Sequence, residues 1–245
     1  MKLKLNQLST TPPEYTDIQA LKSETERYVK RIADLQEALM AEQKNSMLII
    51  LQGTDSSGKD GTVKHVFTGI NPSGVHVTSW KVPTADEYAH DYLWRIHKEV
   101  PPRGKIHIFN RSHYEDILVP SVHNLFPDKD IKLRYDHINN FEKMLTDTGT
   151  VILKFFLHIS PEVQQERFKK RMHNPKKYWK FKKKDVNESK HWDEYQKVYE
   201  KIIDKCPGWI IVPADNKHYR NYIIAKHVFE TLKKLKPKFP NKITD

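Results

Sequence analysis

The chain has 245 residues, of which 38% are hydrophobic, a content that excludes an intrinsically disordered protein. Its length fits one α/β domain with an insertion better than two separate cores. The net charge is +11, and ten lysines and arginines fall between residues 167 and 184 with no acid among them. We expect this basic segment to attract polyanions, the alternative being a solvated basic face.

Cysteine content and hydropathy exclude further classes. Cys206 is the only cysteine in the sequence, which excludes an internal disulfide and a cysteine-based zinc site. Residues 1–17 lack the apolar core of a signal peptide, and no later apolar run reaches the roughly 20 residues of a membrane span. We therefore expect a cytoplasmic protein without a membrane partner.

The predicted elements begin with an amphipathic helix over 17–42, whose apolar residues recur at steps of three and four. This helix either packs across the domain or pairs with a second copy, and on the second alternative we predict a homodimer or homotetramer. Short apolar runs after it predict five β-strands, at 47–52, 75–80, 105–109, 151–159 and 209–214.

Helices are predicted between the strands. Thr84 and Glu87 form a capping-box pattern that should begin a helix running through Tyr92 and Ile96, and Ser160 is a predicted N-cap. Further helices are predicted over 131–145 and 216–236. Strands that alternate with helices indicate a parallel sheet, and ligands of such sheets bind beyond the carboxyl ends of the strands.

The first strand is followed directly by the sequence GTDSSGKDGT, at 53–62, which matches G-x-x-x-x-G-K but has Asp60 where serine or threonine is usual. Such a loop turns backbone N–H groups toward phosphate oxygens, and the helix N-terminus and Lys59 add positive charge. The alternative is a glycine-rich turn with an exposed lysine. The predicted phosphate-binding residues of the loop are Gly53, Ser56, Ser57, Gly58, Gly61 and Thr62.

Two carboxylates, Asp55 and Asp60, lie within this anion-binding sequence. Placing them there is unfavourable unless a cation lies between them and the phosphates, which implies Mg²⁺. Asp60 has the alternative role of a helix-start residue, and Asp55 is the better candidate for the metal.

The third strand ends in FNRSHYED, at 109–116, which places Arg111 opposite the loop, where it is able to fork onto a phosphate. Alternatively, Arg111 is a structural ion-pair partner and Glu115 and Asp116 are ordinary helix-start acids. In the basic segment, Arg167 and Arg171 share one helix face and are predicted to point cations at an anion. The aromatic residues that follow, Tyr178, Trp179 and Phe181, are expected to anchor a lid onto the core rather than to stack on bases.

Four motifs, GTDSSGKDGT, FNRSHYEDILV, RMHNPKKYWKFKKKD and VPADNKHYRN, resemble those of the polyphosphate kinase 2 family, and especially its class III. The resemblance covers nearly the whole chain. It implies a P-loop kinase fold similar to thymidylate kinase, with a five-stranded parallel sheet, flanking helices and a basic helical lid. It also implies a single domain over 1–245, divided into an N-terminal helix (17–42), a P-loop core (47–159), a lid region (160–204) and a last strand with a C-terminal helix (205–245).

The family's activity is the reversible, Mg²⁺-dependent transfer of the terminal phosphate of polyphosphate to a nucleotide, and class III members accept AMP as well as ADP. The resemblance therefore implies polyphosphate, AMP, ADP and ATP as partners, no nucleic acid, and Mg²⁺, or alternatively Mn²⁺, as cofactor. Carried over by motif, the catalytic residues are Asp55, Lys59, Asp60, Arg111 and Arg171. Further phosphate- or nucleotide-binding residues are Lys81, Asn110, Tyr114 and Arg167.

The metal ligands implied are Asp55 and, as additional candidates, Glu115 and Asp116. Many relatives carry aspartate just before the strand-end arginine, whereas this chain has Asn110, as class III members do. That difference removes one metal-binding carboxylate. The alternative functions are a kinase that uses a nucleoside triphosphate as donor and a nucleic-acid-binding protein, and a phosphotransfer assay with polyphosphate alone distinguishes both from the family's activity.

Overall fold

The computed structural model describes residues 3–181 and 183–241, and its central element is a parallel β-sheet. Its strands are β1 (Ser46–Gln52), β2 (Val75–Ser79), β3 (Ile106–Asn110), β4 (Thr150–His158) and β5 (Trp209–Pro213). They lie in the order β2-β3-β1-β4-β5, and every neighbouring pair is parallel. The five predicted strands are confirmed, each to within one residue at either end.

Helices cover the sheet on both faces. They are α1 (Ile18–Glu42), α2 (Lys59–Val66), α3 (Ala85–Ala89), α4 (Trp94–His97), α5 (Glu115–Val122), α6 (Asp128–Asp147), α7 (Pro161–His173), α8 (Lys183–Glu188), α9 (Trp192–Lys205) and α10 (Lys217–Leu235). Short 3₁₀ helices lie at Leu5–Gln7, Pro72–Gly74, Pro175–Lys180 and Ser189–His191. The predicted α/β class is confirmed.

Side-chain caps fix where several helices begin. The carboxylate of Asp17 accepts the N–H groups of Gln19 and Ala20 at the start of α1, and the Ser160 hydroxyl accepts the N–H of Val163 at the start of α7. These bonds satisfy amides that have no partner within the helix. The predicted starts of both helices are confirmed.

The helix predicted from Thr84 through Ile96 is wrong beyond its first turn. The capping box of Thr84 and Glu87 is present, but α3 ends at Ala89. The carboxylate of Asp91 accepts the N–H of Leu93 at 2.9 Å, and this local bond replaces the helical one, so that a separate helix begins at Trp94.

The core lies on the two faces of β1, whose residues are all buried. Leu48 and Ile50 join one cluster with residues of α5, α6 and α9, and Ile49 and Leu51 join another with residues of α1 and α10. Because β1 is central, the loops after β1, β3 and β4 meet at one edge of the sheet. Within the described residues, none of the helices combines the length and apolar character needed to span a bilayer.

Candidate active site

The glycine-rich loop (residues 53–59) joins β1 to α2 in a tight turn. Gly53 has φ +149°, and a Cβ there would lie 2.7 Å from the carbonyl oxygen of Leu157, so only glycine fits. The N–H of Ser57 donates to the carbonyl of Thr54 at 3.1 Å. Within the described residues, the hydroxyls of Thr54, Ser56 and Thr62 are buried without a hydrogen-bond partner.

Lys59, at the start of α2, folds back over this loop. Its Nζ donates to the carbonyls of Gly53 and Thr54 at 2.7 and 3.1 Å and to the Ser57 hydroxyl at 3.3 Å. Burial, together with a smaller effect of the neighbouring Arg111 and against the opposing effect of Asp55, lowers the pKa of Lys59 to about 8. The ammonium group is therefore a cation at the loop that loses its charge as the pH rises through about 8.

Arg111 follows β3 directly and has φ +67°, a left-handed conformation that is uncommon for a residue with a side chain. Its guanidinium donates to the carboxylate of Asp55 in the loop and, at 3.1 Å, to that of Glu115 in α5. Glu115 raises the pKa of Arg111, which is fixed as a cation. The structure thus brings Asp55 and Arg111 together and adds Glu115, which the sequence had suggested either as a helix-start acid or as an additional metal candidate.

Asp60 connects three parts of the site. Its two carboxylate oxygens accept the side-chain amide of Asn110 and the ammonium of Lys180, each at 2.8 Å. Burial alone would raise the pKa of Asp60, but the hydrogen bonds from Lys180 and Asn110 outweigh it and hold that pKa below its ordinary value. Through Asp60, α2 is joined to the end of β3 and to the lid (residues 160–204).

Arg171 lies in α7, within the lid. Its Nη1 is 3.6 Å from a carboxylate oxygen of Asp185 and 3.5 Å from the carbonyl of Lys180. The guanidinium therefore links the two halves of the basic segment. Lys182, another cation of that segment, lies outside the described residues.

The lid aromatics differ from expectation. Tyr178 and Trp179 are 53% and 76% exposed, so the prediction that they anchor the lid is wrong for both. The lid is joined to the core instead by buried apolar residues of α9, Val198, Tyr199 and Ile202. Polar contacts add to these: Glu188 accepts from the His123 ring, and the Gln164 amide donates to the carbonyl of Asp55 at 2.9 Å.

Arg167 does not point at an open anion site. Its Nη1 donates to the carbonyls of Ser56 and Ser57, at 2.9 and 3.1 Å, and its Nη2 to those of Ala214 and Asp215, both at 2.8 Å. The guanidinium is occupied by protein carbonyls, which does not fit the predicted direct phosphate contact.

Tyr114 and Asp116 also lie elsewhere than predicted. The Tyr114 side chain is fully buried, and its hydroxyl donates to Glu142 at 2.8 Å. Asp116 is paired with Arg95 at 3.2 Å, and burial raises the pKa of Asp116. Both side chains are held by the core, which does not fit phosphate contact by Tyr114 or metal binding by Asp116.

Lys81 lies at the same sheet edge as the loop, beyond β2, but its side chain is exposed and, in the described part of the chain, forms no hydrogen bond or ion pair with the loop. Its carbonyl accepts from Arg95 at 3.0 Å. Arg220 of α10 was not predicted as a site residue; it lies within the fourth motif and is buried against the loop. The only sequence signal for Arg220 is its place in that motif.

A narrow cleft lies between the loop and α9. Asp55 and Arg111 line it on one side, and the aromatic rings of Trp192, Tyr195 and Tyr199 on the other. A charged wall opposite an aromatic wall suits a ligand with both an anionic and a planar apolar part.

The oxygen donors of the site fit a hard divalent cation. No three His, Cys, Asp or Glu side chains in the described part of the chain form a metal-binding group on their own. Asp55 and Glu115 nevertheless offer carboxylates side by side on Arg111, next to the unpartnered loop hydroxyls. Mg²⁺ characteristically takes one or two carboxylates and completes its shell with water and substrate phosphates, so these residues suit it.

Comparison with known proteins gives consistent matches. The profile of the family described as Polyphosphate kinase 2 matches residues 15–240. The AMP/ADP-polyphosphate phosphotransferase of Meiothermus ruber is 48% identical over 215 residues, covering 86% of this chain and 80% of that protein. The ADP-polyphosphate phosphotransferase of Rhodopseudomonas palustris is 40% identical over 228 residues, covering 86% and 79%.

Solved structures of polyphosphate kinase 2 proteins also resemble this chain. The crystal structure of Polyphosphate Kinase 2 from Arthrobacter aurescens superposes with a TM-score of 0.95 at 36% identity, covering 99% of this chain and 89% of that one. A putative polyphosphate kinase 2 from Pseudomonas aeruginosa gives a TM-score of 0.87 at 28% identity, with 94% and 50% covered.

Proposed function

Since the chain belongs to the polyphosphate kinase 2 family, we propose that it is a phosphotransferase that moves the terminal phosphate of inorganic polyphosphate onto AMP and ADP. The products are ADP and ATP, and the reaction is reversible because similar anhydrides are exchanged. The relative from Meiothermus ruber carries both acceptors in its name, which supports the choice of AMP and ADP.

The observation that carries this proposal is the convergence of Asp55, Lys59 and Arg111 at the glycine-rich loop, beneath a basic lid. The loop and Lys59 bind the terminal phosphates of the donor, and the cations of the lid bind the rest of the chain. Because polyphosphate carries about one negative charge per phosphate, repeated point contacts suit it better than a shaped pocket.

The reaction we propose is direct in-line attack by a nucleotide phosphate oxygen on the terminal phosphorus. The attacking oxygen is already anionic at neutral pH, so no strong general base is required. The barrier is the repulsion between two polyanions, and Lys59, Arg111 and Arg171 lower it by neutralising and positioning the phosphates. Arg111 shifts from its carboxylate partners to the transferred phosphate as charge develops there.

Mg²⁺, with Mn²⁺ as an alternative, would be held by Asp55 together with Glu115 and would supply charge neutralisation of the phosphate oxygens. Asp60 has a different role, because its two carboxylate oxygens accept hydrogen bonds from the side chains of Asn110 and Lys180. Asp55 also orients the acceptor beside the donor.

We also propose a domain organisation, an oligomeric state and a cellular location for the protein. The whole chain acts as a single domain with the boundaries given above, and the protein works in the cytoplasm as a homodimer or homotetramer. The acceptor's base lies in the cleft against Trp192 and Tyr195, two partly buried aromatic residues of its lining that suit stacking.

The deciding experiment supplies purified protein with Mg²⁺, long-chain polyphosphate and either AMP or ADP, and follows the nucleotides by chromatography. We expect AMP to be converted to ADP and then to ATP with no nucleoside triphosphate added. Conversion of ADP alone would overturn the AMP assignment. Turnover that requires a nucleoside triphosphate would establish a nucleotide-donor kinase instead, and salt-sensitive nucleic-acid binding without phosphotransfer would overturn the enzyme assignment.

A further inference from the structure

Arg220 lies behind the glycine-rich loop. It is 3% exposed, and its Nη1 is 3.5 Å from the carbonyl oxygen of Ser57. A Cβ on Gly58 would lie 1.9 Å from that same nitrogen, and one on Gly61 would lie 3.2 Å from Nη2. These two glycines therefore admit the guanidinium against the loop, in addition to any role they have toward phosphate.

The Ser57 carbonyl is shared with Arg167, which also holds the carbonyl of Ser56. Two arginines from α7 and α10 thus hold consecutive loop carbonyls, and neither arginine is among the residues that line the cleft. A trans peptide is planar, and its C=O and the following N–H point in opposite directions. Holding the carbonyl of Ser57 in this way therefore directs the N–H of Gly58 to the opposite side.

The charge of Arg220 also favours the binding of an anion at the loop. Within the described residues, Arg220 forms no ion pair, and its hydrogen bonds go to the side-chain oxygen of Asn221 and to Ser57. Burial lowers its pKa to about 10, with a smaller contribution from Arg167, which still leaves it charged at neutral pH. A buried cation without a counter-charge is stabilised when an anion approaches it.

We infer that Arg167 and Arg220 are positioning residues that act on the donor through the loop: they hold the carbonyls of Ser56 and Ser57 and so direct the N–H of Gly58 toward the phosphate, and their charge favours a bound polyanion. This inference rests on the proposed function, because the donor is the polyphosphate assigned above. It replaces the predicted direct phosphate contact of Arg167.

The test measures binding of tripolyphosphate by calorimetry in the presence of Mg²⁺, for the full chain and for Arg220→Gln. We expect the dissociation constant to rise about tenfold in Arg220→Gln and about threefold in Arg220→Lys, which keeps the charge but loses the planar fork. The KM for polyphosphate should rise in parallel, while the KM for AMP stays within about twofold of the original value.

Arg134→Gln is the matched control, because Arg134 also binds a backbone carbonyl, that of Asp116, but lies away from the loop. Its dissociation constant should stay within about twofold of the original. An Arg220→Gln protein that is folded and binds tripolyphosphate as tightly as the original would overturn the inference. If Arg220→Gln does not fold, an unchanged dissociation constant in Arg220→Lys would overturn it equally. Failure of the original protein to bind tripolyphosphate would instead overturn the proposed function, and the inference with it.

Discussion

The ammonium nitrogen of Lys180, in the lid, lies 2.8 Å from Oδ2 of Asp60, in the first turn of α2. Asp60 holds the side chain of Asn110 with its other oxygen. A single carboxylate thus connects the lid to the sheet edge at which the loop is built. Both members of the ion pair are partly exposed, so it contributes little to the stability of the fold and more to the position of the lid.

We expect Lys180→Met to raise the KM for polyphosphate several-fold while changing the free energy of unfolding by less than about 1 kcal/mol. Lys177→Met is the control, because it removes the same charge from the same 3₁₀ helix without touching Asp60. Steady-state kinetics and urea unfolding of both variants isolate the contribution of the ion pair. Equal effects of the two substitutions would show that only general charge matters.

Asp55→Asn keeps the shape of the side chain and removes its charge. We expect turnover to fall by a factor on the order of a hundred or more, because the variant loses a carboxylate that fixes Arg111 and holds the metal. The melting temperature should change little, since Arg111 keeps its bond to Glu115. Turnover near the original value in an intact Asp55→Asn protein would contradict the assigned role.

The pKa of Lys59 predicts how kcat/KM changes at alkaline pH. Its pKa in the free protein is about 8, so kcat/KM for polyphosphate should decrease as the pH rises through 8 and the ammonium loses its proton. Lys59→Arg, which stays charged throughout this range, should be less active but should lack that limb. A constant kcat/KM for the original protein up to pH 9.5 would be inconsistent with this assignment.

Titration of Lys59 does not destabilise the fold in this pH range, so unfolding would not explain such a decrease in kcat/KM. The pKa of Lys59 is lower in the folded protein than its ordinary value of 10.5, so between pH 8 and 10.5 the unfolded chain binds more protons at this site. Its contribution to the free energy of unfolding therefore rises with pH in that window. Urea unfolding at pH 7.5 and 9 would separate the loss of activity from any loss of stability.

The buried pair of Glu142 and Lys154, at 2.6 Å, joins α6 to β4. Glu142 also accepts from the hydroxyl of Tyr114 and from the ring of His113. We expect Glu142→Ala to lower the free energy of unfolding by about 3–5 kcal/mol, because Lys154 would be left buried and unpaired. Replacing both residues, as Glu142→Leu with Lys154→Met, should recover much of that loss, and a cost below about 1 kcal/mol for Glu142→Ala alone would contradict this account.

The sheet was predictable because its strands are short apolar runs ended by glycine or a polar turn, signals that lie within the strand itself. The helix over Thr84–Ile96 was not, because the bond from Leu93 to the carboxylate of Asp91 competes with a capping signal that is equally local. Neither helix propensity nor hydrophobic periodicity indicates which of two such local hydrogen bonds forms.

The active site likewise has parts that were predictable from the sequence and parts that were not. The loop and Arg111 were predictable, since each directly follows a strand and neighbouring parallel strands end at one edge. The partners of Arg167 were not, because they lie 47 to 111 residues away in the chain. The same holds for Lys180 and Asp60, which are separated by 120 residues. Which cation meets a phosphate and which one meets a carbonyl depends on packing between elements that local sequence does not specify.

The four carbonyls bound by Arg167 have a consequence for how the protein matures during translation. The loop at Ser56 and Ser57 leaves the ribosome early, whereas Ala214 and Asp215 follow only after β5 has been made. Arg220 is synthesised later still. A nascent chain interrupted before β5 carries the G-x-x-x-x-G-K motif complete yet lacks the distal carbonyls and the second arginine that hold the loop, so its capacity for phosphate transfer arises only near the end of synthesis.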